Sequence, residues 1–359
     1  MIRAVLPALA ALLLCGCSSV EFYLQGISGQ IELLSRAQPI PEVLDTTQDP
    51  TVKYKLERVL AIRDYASREL GLPDNDSYRR YSDLGRRYVL WNVFATPALS
   101  LAPRQWCFPI AGCVNYRGYF AEADAHAEAA SLAASGDDVY VGGVPAYSTL
   151  GYFDDPMPST FLRYPDFEIA RLIFHELAHQ VAYAKDDTVF NESFAVTVEE
   201  EGVRRWLSTQ HDPQLERQFD QSERYREDFT ALVERTRAKL SAIYSSDSDD
   251  ATKLKAKAAA FAAMRAQYAL LEQAWRGSAA YDSWFAQGPN NASVAAVGLY
   301  TQKVPQFQAL LAADGGDLPR FYAQVKVLSA LPKGERETAL SAAAAPQASL
   351  LGSRDQNRH

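Results

Sequence analysis

The sequence predicts an α+β protein that is predominantly helical, with a small sheet and a long helical hairpin. Two long polar segments of helical periodicity, 214–244 and 251–276, are joined by an acidic turn and predict a hairpin over residues 213–277. Aromatic and branched residues are concentrated in two shorter segments, 88–94 and 138–147, in the manner of strands. This distribution predicts a few strands and a larger number of helices.

Residues 1–16 predict a cleaved secretory signal. A lone Arg3 precedes a short apolar run that ends in small residues and a cysteine. The stretch Leu14-Cys15-Gly16-Cys17 resembles a bacterial lipobox, which implies that Cys17 becomes an acylated amino terminus; an ordinary cleaved signal is the alternative. The residue after Cys17 is Ser18 and not aspartate, which resembles the same position in lipoproteins that are sent to the outer membrane. We therefore expect an envelope protein that faces the periplasm.

Composition and charge limit the remaining classes of function. The chain is 48% apolar and 22% charged, as in ordinary folded proteins, so residues 17–341 predict one folded unit. Residues 342–359 are small and polar without a periodic face, and predict a disordered tail.

The net charge of −8 disfavours nucleic acid as a partner. Beyond the signal no run reaches the ~18 apolar residues of a membrane span, so the bilayer is expected as a partner only through Cys17.

Further elements follow along the chain. Residues 50–70 carry apolar positions at helical spacing and precede Gly71, which predicts an amphipathic helix. Residues 122–134 are Ala-rich and also predict a helix. The strand segment 138–147 contains Gly-Gly followed by Pro145, and a proline in a central strand would remove a ladder hydrogen bond, so this strand is expected at a sheet edge or bulge.

Two cysteines, Cys107 and Cys113, remain once the signal is removed and Cys17 is acylated. An even pair in an oxidising compartment predicts a disulfide, and Pro109 and Gly112 would let the intervening loop turn back. Two buried free thiols are the alternative.

The segment with the clearest chemical meaning is His175-Glu176-Leu177-Ala178-His179, where apolar residues at helical spacing predict a helix. Four residues make little more than one turn, so both imidazoles project from one face and can hold one ion. Glu176 lies about 100° round from His175, which suits a base rather than a ligand. Zinc fits this set because it both activates water and polarises a carbonyl.

A catalytic zinc site usually has three protein ligands, so a carboxylate should follow the two histidines. Glu192, in Phe190-Asn191-Glu192-Ser193-Phe194-Ala195, is the first candidate for the third ligand. Glu199 lies seven residues further on nearly the same helical face and is expected to hydrogen-bond a ligand or to be the ligand itself.

Four other residues are candidates for contact with substrate. Tyr147 follows the broken strand, and an edge strand beside the metal can pair with an extended peptide. Tyr116 and Arg117 lie in a loop, where Arg117 would neutralise an oxyanion or a substrate carboxylate. Tyr300 would donate to the oxyanion from a late helix. Packing for the tyrosines, and a solvated or paired state for the arginine, are the alternatives.

The motif HELAH followed by FNESFA resembles the glutamate-ligand zincins, which implies a zincin-type fold with Glu192 as third ligand. Twelve residues separate His179 from Glu192, a shorter spacer than in thermolysin-like or aminopeptidase-N-like enzymes. Glu199, after nineteen residues, is closer to their spacing and stays an alternative. No segment resembles the Gly-x-Met-Glu-Asn motif by which aminopeptidase-N-like enzymes hold a free amine.

Four segments, WCFPIAGCVNYRGYF, GGVPAYSTLGYFDDP, IFHELAHQ and FNESFA, resemble a bacterial family of predicted zinc aminopeptidases, many of them lipoproteins. The resemblance implies one zinc ion per chain, Glu176 as the catalytic residue and a peptide or protein substrate. A zinc-stabilised envelope or assembly lipoprotein that cleaves nothing is the main alternative, and a hydrolase of cell-wall amide bonds is a further one.

Overall fold

The computed structural model describes residues 22–108, 112–146 and 148–343. Within them lie the helices α1 (22–35), α2 (Ile40–Thr46), α3 (Pro50–Arg68), α4 (Glu122–Ala134), α5 (Asp166–Val181), α6 (Thr188–Gln210), α7 (Pro213–Tyr244), α8 (Asp250–Ala274), α9 (Asp282–Ala286), α10 (Asn291–Thr301), α11 (Val304–Ala313), α12 (Leu318–Ser329) and α13 (Lys333–Ala343). The strands are β1 (Gln38–Pro39), β2 (Arg80–Ser82), β3 (Leu90–Pro97), β4 (Trp106–Phe108), β5 (Gly112–Val114), β6 (Arg117–Tyr119), β7 (Asp137–Val144) and β8 (Met157–Pro158). The fold is α+β and predominantly helical, as predicted.

The predicted cleaved signal, Cys17 and Tyr147 lie outside the described residues. The predicted tail begins at residue 342, whereas α13 continues to Ala343, and residues 344–359 also lie outside the described part of the chain. No described helix combines the length and the hydropathy that crossing a bilayer requires.

The strands form three small sheets instead of the one that the sequence predicts. The sheet that contains the two longest strands, β3 and β7, has the order β6-β3-β7, with antiparallel pairing throughout. The strand β7 lies at its edge and ends at Val144, immediately before Pro145. This position agrees with the edge placement expected from the proline.

The strands β4 and β5 form a hairpin in which Cys107 is directly opposite Cys113 and disulfide-bonded to it, as predicted. The backbone N–H of Cys113 donates to Asp186 Oδ1 in the turn between α5 and α6. Gly112 has a φ of +76° and lies so close to Asp186 that a side chain there would collide with it. The disulfide hairpin therefore packs directly on the turn that connects the two central helices.

The helices α5 and α6 lie at the centre of the main hydrophobic core. In α5, Ile169, Ile173 and Leu177 recur at four-residue intervals and are fully buried. Gly202 of α6 lets the two helices approach closely, because a Cβ there would lie 2.8 Å from the ring of Phe174. One face of α5 is thus fixed by packing, and the other carries polar residues.

The helices α7 and α8 form the predicted hairpin. Asp212 and Asp249 cap their amino termini by accepting backbone N–H donors, and residues 245–249 connect them. A second hydrophobic cluster between them includes Phe229, Leu240 and Met264.

Helix α10 is joined to the sheet through Asn291. Its side-chain amide donates to the carbonyls of Ala98 and Ser100, each at 3.0 Å, and its carbonyl accepts from the hydroxyl of Tyr244 at 2.7 Å. These bonds connect the start of α10 to the segment that follows β3 and to α7, and Tyr300 lies near the end of the same helix.

Candidate metal centre

Two imidazoles of α5 converge on one point. The Nε2 atoms of His175 and His179 lie 3.2 Å apart, as expected for two residues separated by four positions on one helix. The Oε2 atom of Glu192, on α6, lies 3.2 Å from His175 Nε2 and 3.6 Å from His179 Nε2. Three ligand atoms from two helices therefore surround one small volume.

The spacing of these three atoms fits a single ion. Zinc bound at about 2.0–2.1 Å with tetrahedral geometry places its ligand atoms about 3.3 Å apart. The separations of 3.2–3.6 Å match that value. In the described residues, His175, His179 and Glu192 are the one group of three or more potential ligands found close enough together to hold a metal ion. The donor set and its spacing thus fit a divalent metal.

Glu199 contacts the opposite nitrogen of His175. Its Oε2 atom accepts a hydrogen bond from His175 Nδ1 at 2.7 Å, which leaves Nε2 as the atom that faces Glu192. A carboxylate on the distal nitrogen fixes the tautomer and the ring orientation of a metal-binding histidine. The two glutamates thus have different contacts, since Glu192 lies at the Nε2 atoms of both histidines and Glu199 at Nδ1 of His175.

Two arginines hold Glu199 in place. Arg226 Nη1 lies 3.3 Å and Arg171 Nη1 3.5 Å from Glu199 Oε1, and both guanidinium groups also pair with Glu223 of α7. A buried carboxylate is costly unless it is paired and hydrogen-bonded. This network lets Glu199 remain anionic and connects α5, α6 and α7 behind His175.

Asn191 fixes the turn between α5 and α6. Its side-chain carbonyl accepts from Ala184 N–H at 2.7 Å and its amide donates to the Ala184 carbonyl at 2.8 Å. Asp187 caps α6 through Phe190 N–H, and its other oxygen pairs with the buried Arg336 at 3.1 Å. These contacts set the position of Glu192 relative to His179.

Replacing Asn191 with alanine is expected to lower the free energy of unfolding by about 2–4 kcal/mol, because a buried N–H and a buried C=O each lose their partner at about 1–3 kcal/mol. Asn191→Asp puts a carboxylate oxygen against the Ala184 carbonyl and buries a charge, so its loss should be at least as large. Urea denaturation of both variants measures the effect. An Asn191→Ala protein as stable as the wild type would show that this turn is held by other contacts.

The charges of the site follow from its contacts. Burial opposes ionisation of Glu192, but His179 and His175 outweigh it and lower the pKa of Glu192 to about 2. Burial also disfavours charge on His175, yet Glu192 and Glu199 raise the pKa of its imidazole well above the usual value. Burial raises the pKa of Glu176, whose carboxylate is opposed by Glu192 and Glu199 and favoured by the two histidines. The protonated form is thus favoured more at Glu176 than at Glu192.

Two tyrosines contact the same space from the sheet side and from α10. Tyr116 and Tyr300 both line the cavity that contains Glu176, His179 and Glu192. The ring of Tyr300 is centred 6.4 Å from that of His175. Burial raises the pKa of both phenols well above the usual value, so both remain protonated and can donate.

Residues 21–340 match the model of a protein family described as "putative aminopeptidase". The chain belongs to this family. The family resemblance predicted from the sequence motifs is thereby confirmed. No curated protein and no solved structure matches the chain.

In this member of the family, Arg117 lies away from the metal centre. It is on β6, where alternate residues face opposite sides of the sheet, and it pairs with Glu128 of α4 at 3.1 Å. Its guanidinium also stacks 4.2 Å from the ring of Phe22. Arg117 is thus paired, which is the alternative left open by the sequence, whereas its neighbour Tyr116 lines the cavity.

Two cavities meet at the metal centre. A cleft of about 940 Å³ reaches His175 and Glu176 from the side of α7 and α11, and a smaller cavity of about 320 Å³ contains His179 and Glu192. Val144 and Ala146, at the end of the edge strand β7, line both. The metal centre is thus open on two sides.

Three residues of the site were missed from the sequence alone. Arg171 lies four positions before His175, so its placement on the same helical face was a usable signal. Arg226 and Glu223 are on α7, far along the chain, and no local pattern marks them. Their role depends on how the hairpin packs against α5 and α6.

Proposed function

We propose that this protein is a zinc-dependent peptidase of the zincin type. The observation that carries the proposal is the convergence of His175 Nε2, His179 Nε2 and Glu192 Oε2 at the spacing of one tetrahedral ion, beside Glu176 and at the meeting point of two cavities. Membership of a family described as putative aminopeptidase supports a peptidase reaction.

His175, His179 and Glu192 would hold the zinc ion. When bound, zinc lowers the pKa of a water molecule towards about 7 and polarises the substrate carbonyl. Glu176 accepts the proton of the attacking water and delivers it to the leaving amine, for which its raised pKa is suited. Glu199 keeps the His175 ring oriented through the hydrogen bond to Nδ1.

Protonated tyrosines complete the proposed catalytic set. Tyr300 and Tyr116 line the cavity beside Glu176, and either hydroxyl group would donate to the developing oxyanion; a donor of this kind contributes about 10²- to 10³-fold in rate. Tyr147 is proposed to contact the substrate, because it follows Ala146 at the end of the edge strand beside the metal centre.

The larger cleft is the proposed substrate site. Its position along the end of β7 allows an extended peptide to pair with an open strand edge. Carboxylates outnumber guanidinium groups along its wall, which favours a substrate with a free amine. The carboxylates are those of Glu168, Glu176, Glu199, Glu200, Glu223 and Glu227, and the guanidinium groups are those of Arg171, Arg204 and Arg226. We therefore propose removal of amino-terminal residues.

The amino-terminal residues support a proposal for where the protein is located in the cell. We propose that Cys17 is acylated after removal of residues 1–16 and that the folded body is held at the bacterial outer membrane, facing the periplasm.

Removal of the metal tests this function. A chelator is expected to abolish cleavage, and one equivalent of zinc per chain should restore it. Peptides with a free amino terminus should be cleaved, and the same peptides with an acetylated amino terminus should not. Cleavage of both forms at internal bonds would replace the aminopeptidase proposal with an endopeptidase. Full metal content without cleavage of any peptide library would indicate a structural zinc lipoprotein.

A further inference from the structure

The helix α1 exposes an unusual apolar face. Tyr23, Leu24, Ile27 and Ile31 are 42%, 61%, 57% and 60% exposed, at positions that share one side of a helix. The other exposed positions of α1 are Ser28 and Ser35, and the charged Glu32 at the border of this face is paired with Arg36 and Arg86. Single exposed apolar residues are ordinary, but a continuous uncharged face marks a surface that contacts something other than water.

The orientation of α1 is fixed by its inner face. Gln25 donates to the Gly118 carbonyl at 3.1 Å and accepts from Phe120 N–H at 3.0 Å, which attaches the helix to the end of β6. Gly29 packs so closely against the ring of Phe120 that no side chain would fit, and Leu33 is buried in a small core beyond it. Because Gln25, Gly29 and Leu33 contact the body of the protein, Tyr23, Leu24, Ile27 and Ile31 lie on the outer side of α1.

The helix also lies close to the predicted acyl anchor. Phe22, the first described residue of α1, is five positions after Cys17. A fully extended chain spans at most about 3.6 Å per residue, so the two lie within about 18 Å of each other. An acyl group in a bilayer would therefore keep the apolar face of α1 within reach of the lipid headgroups.

We propose that the exposed face of α1, formed by Tyr23, Leu24, Ile27 and Ile31, rests in the interfacial region of the lipid bilayer and orients the folded body on the membrane. The inference rests on acylation of Cys17, which is part of the proposed function, and extends it from an anchor to a defined docking surface. Interfacial helices bury an apolar face of this kind at the boundary between headgroups and acyl chains.

Docking would bring the metal centre close to the membrane. Phe22 lines the smaller cavity together with His179 and Glu192. Because Phe22 packs on the inner side of α1, a bilayer against the outer side would be separated from this cavity by about the width of one helix.

A fluorescent probe at position 27 tests the proposal. Ile27→Cys is made in the full chain, which is purified in its acylated form, verified by intact mass, labelled with an environment-sensitive dye and reconstituted into phosphatidylethanolamine–phosphatidylglycerol vesicles. The matched control is Leu270→Cys, on α8, where the native leucine is 64% exposed. The native Cys107 and Cys113 form a disulfide and do not react with the dye.

The Ile27 probe is expected to shift to shorter wavelength in vesicles and to lose several-fold in quenching by aqueous iodide, whereas the Leu270 probe stays unchanged. Equal quenching of both probes, or a mass without acyl chains, would overturn the proposal. A shift that appears without lipid and grows with protein concentration would also overturn it and identify a second copy as the partner. Peptidase activity is measured separately, so failure of the proposed reaction leaves the probe result interpretable.

Discussion

Replacement of Glu176 with glutamine is expected to lower peptide cleavage by about 10²- to 10⁴-fold, the range that a positioned general base contributes. Glutamine keeps the size of the side chain but cannot accept the proton of the attacking water. The metal should remain bound, because Glu176 is not among the three converging ligands. Steady-state cleavage of a free-amine peptide, measured beside zinc content per chain, gives both values.

Glu122→Gln is the matched control for this substitution, since Glu122 lies on the solvent side of α4 and its side chain is 62% exposed. It should cleave like the wild type. A Glu176→Gln protein that retains full activity together with its zinc would exclude Glu176 as the base and, with it, the proposed mechanism.

The two glutamates of α6 should differ in their effect on metal binding. Glu192→Gln removes one of three ligand atoms, so the purified variant is expected to lose most of its zinc and its activity. Glu199→Gln removes the hydrogen-bond partner of His175 Nδ1, and loss of such a partner usually costs about 10- to 100-fold in metal affinity. Competition titration with a chromophoric chelator separates the two expected affinities.

Glu199→Gln should also destabilise the fold, since Arg171 and Arg226 would each lose a buried carboxylate. Circular dichroism of each variant distinguishes loss of structure from loss of metal. If Glu199→Gln lost zinc completely while Glu192→Gln kept it, the assignment of the ligands would be reversed.

The sequence predicted helix α5 and its two histidines because the signal is local. Two histidines four residues apart, with apolar residues at the same period, specify both the helix and the face on which the imidazoles project. The disulfide between Cys107 and Cys113 and the hairpin of α7 and α8 were predictable for similar reasons, since each depends on residues near one another along the chain.

Which of Glu192 and Glu199 lies beside the two Nε2 atoms depends on contacts that the local sequence does not reveal. Both lie on the inner face of α6, and the spacer length alone favoured Glu199. The turn closed by Asn191 and the cap at Asp187 determine how far along α6 the helix meets His179, and these contacts bring Glu192 to the metal-binding nitrogens. Nothing in the residue pattern gives the direction of that turn.

Arg117 shows the same limit for a strand. Tyr116 and Arg117 were expected in a loop, whereas Arg117 begins strand β6, and adjacent residues of a strand point to opposite sides. The face was decided by packing of α4 on one side, where Glu128 receives Arg117, and by α10 on the other.

Anomalous X-ray diffraction at the zinc absorption edge, from crystals of the protein grown with zinc, tests the central claim most directly. One peak is expected about 2.0–2.1 Å from His175 Nε2, His179 Nε2 and a Glu192 carboxylate oxygen. No peak between these residues in crystals that contain zinc elsewhere, or a peak bound by Glu199 with Glu192 turned away, would contradict it.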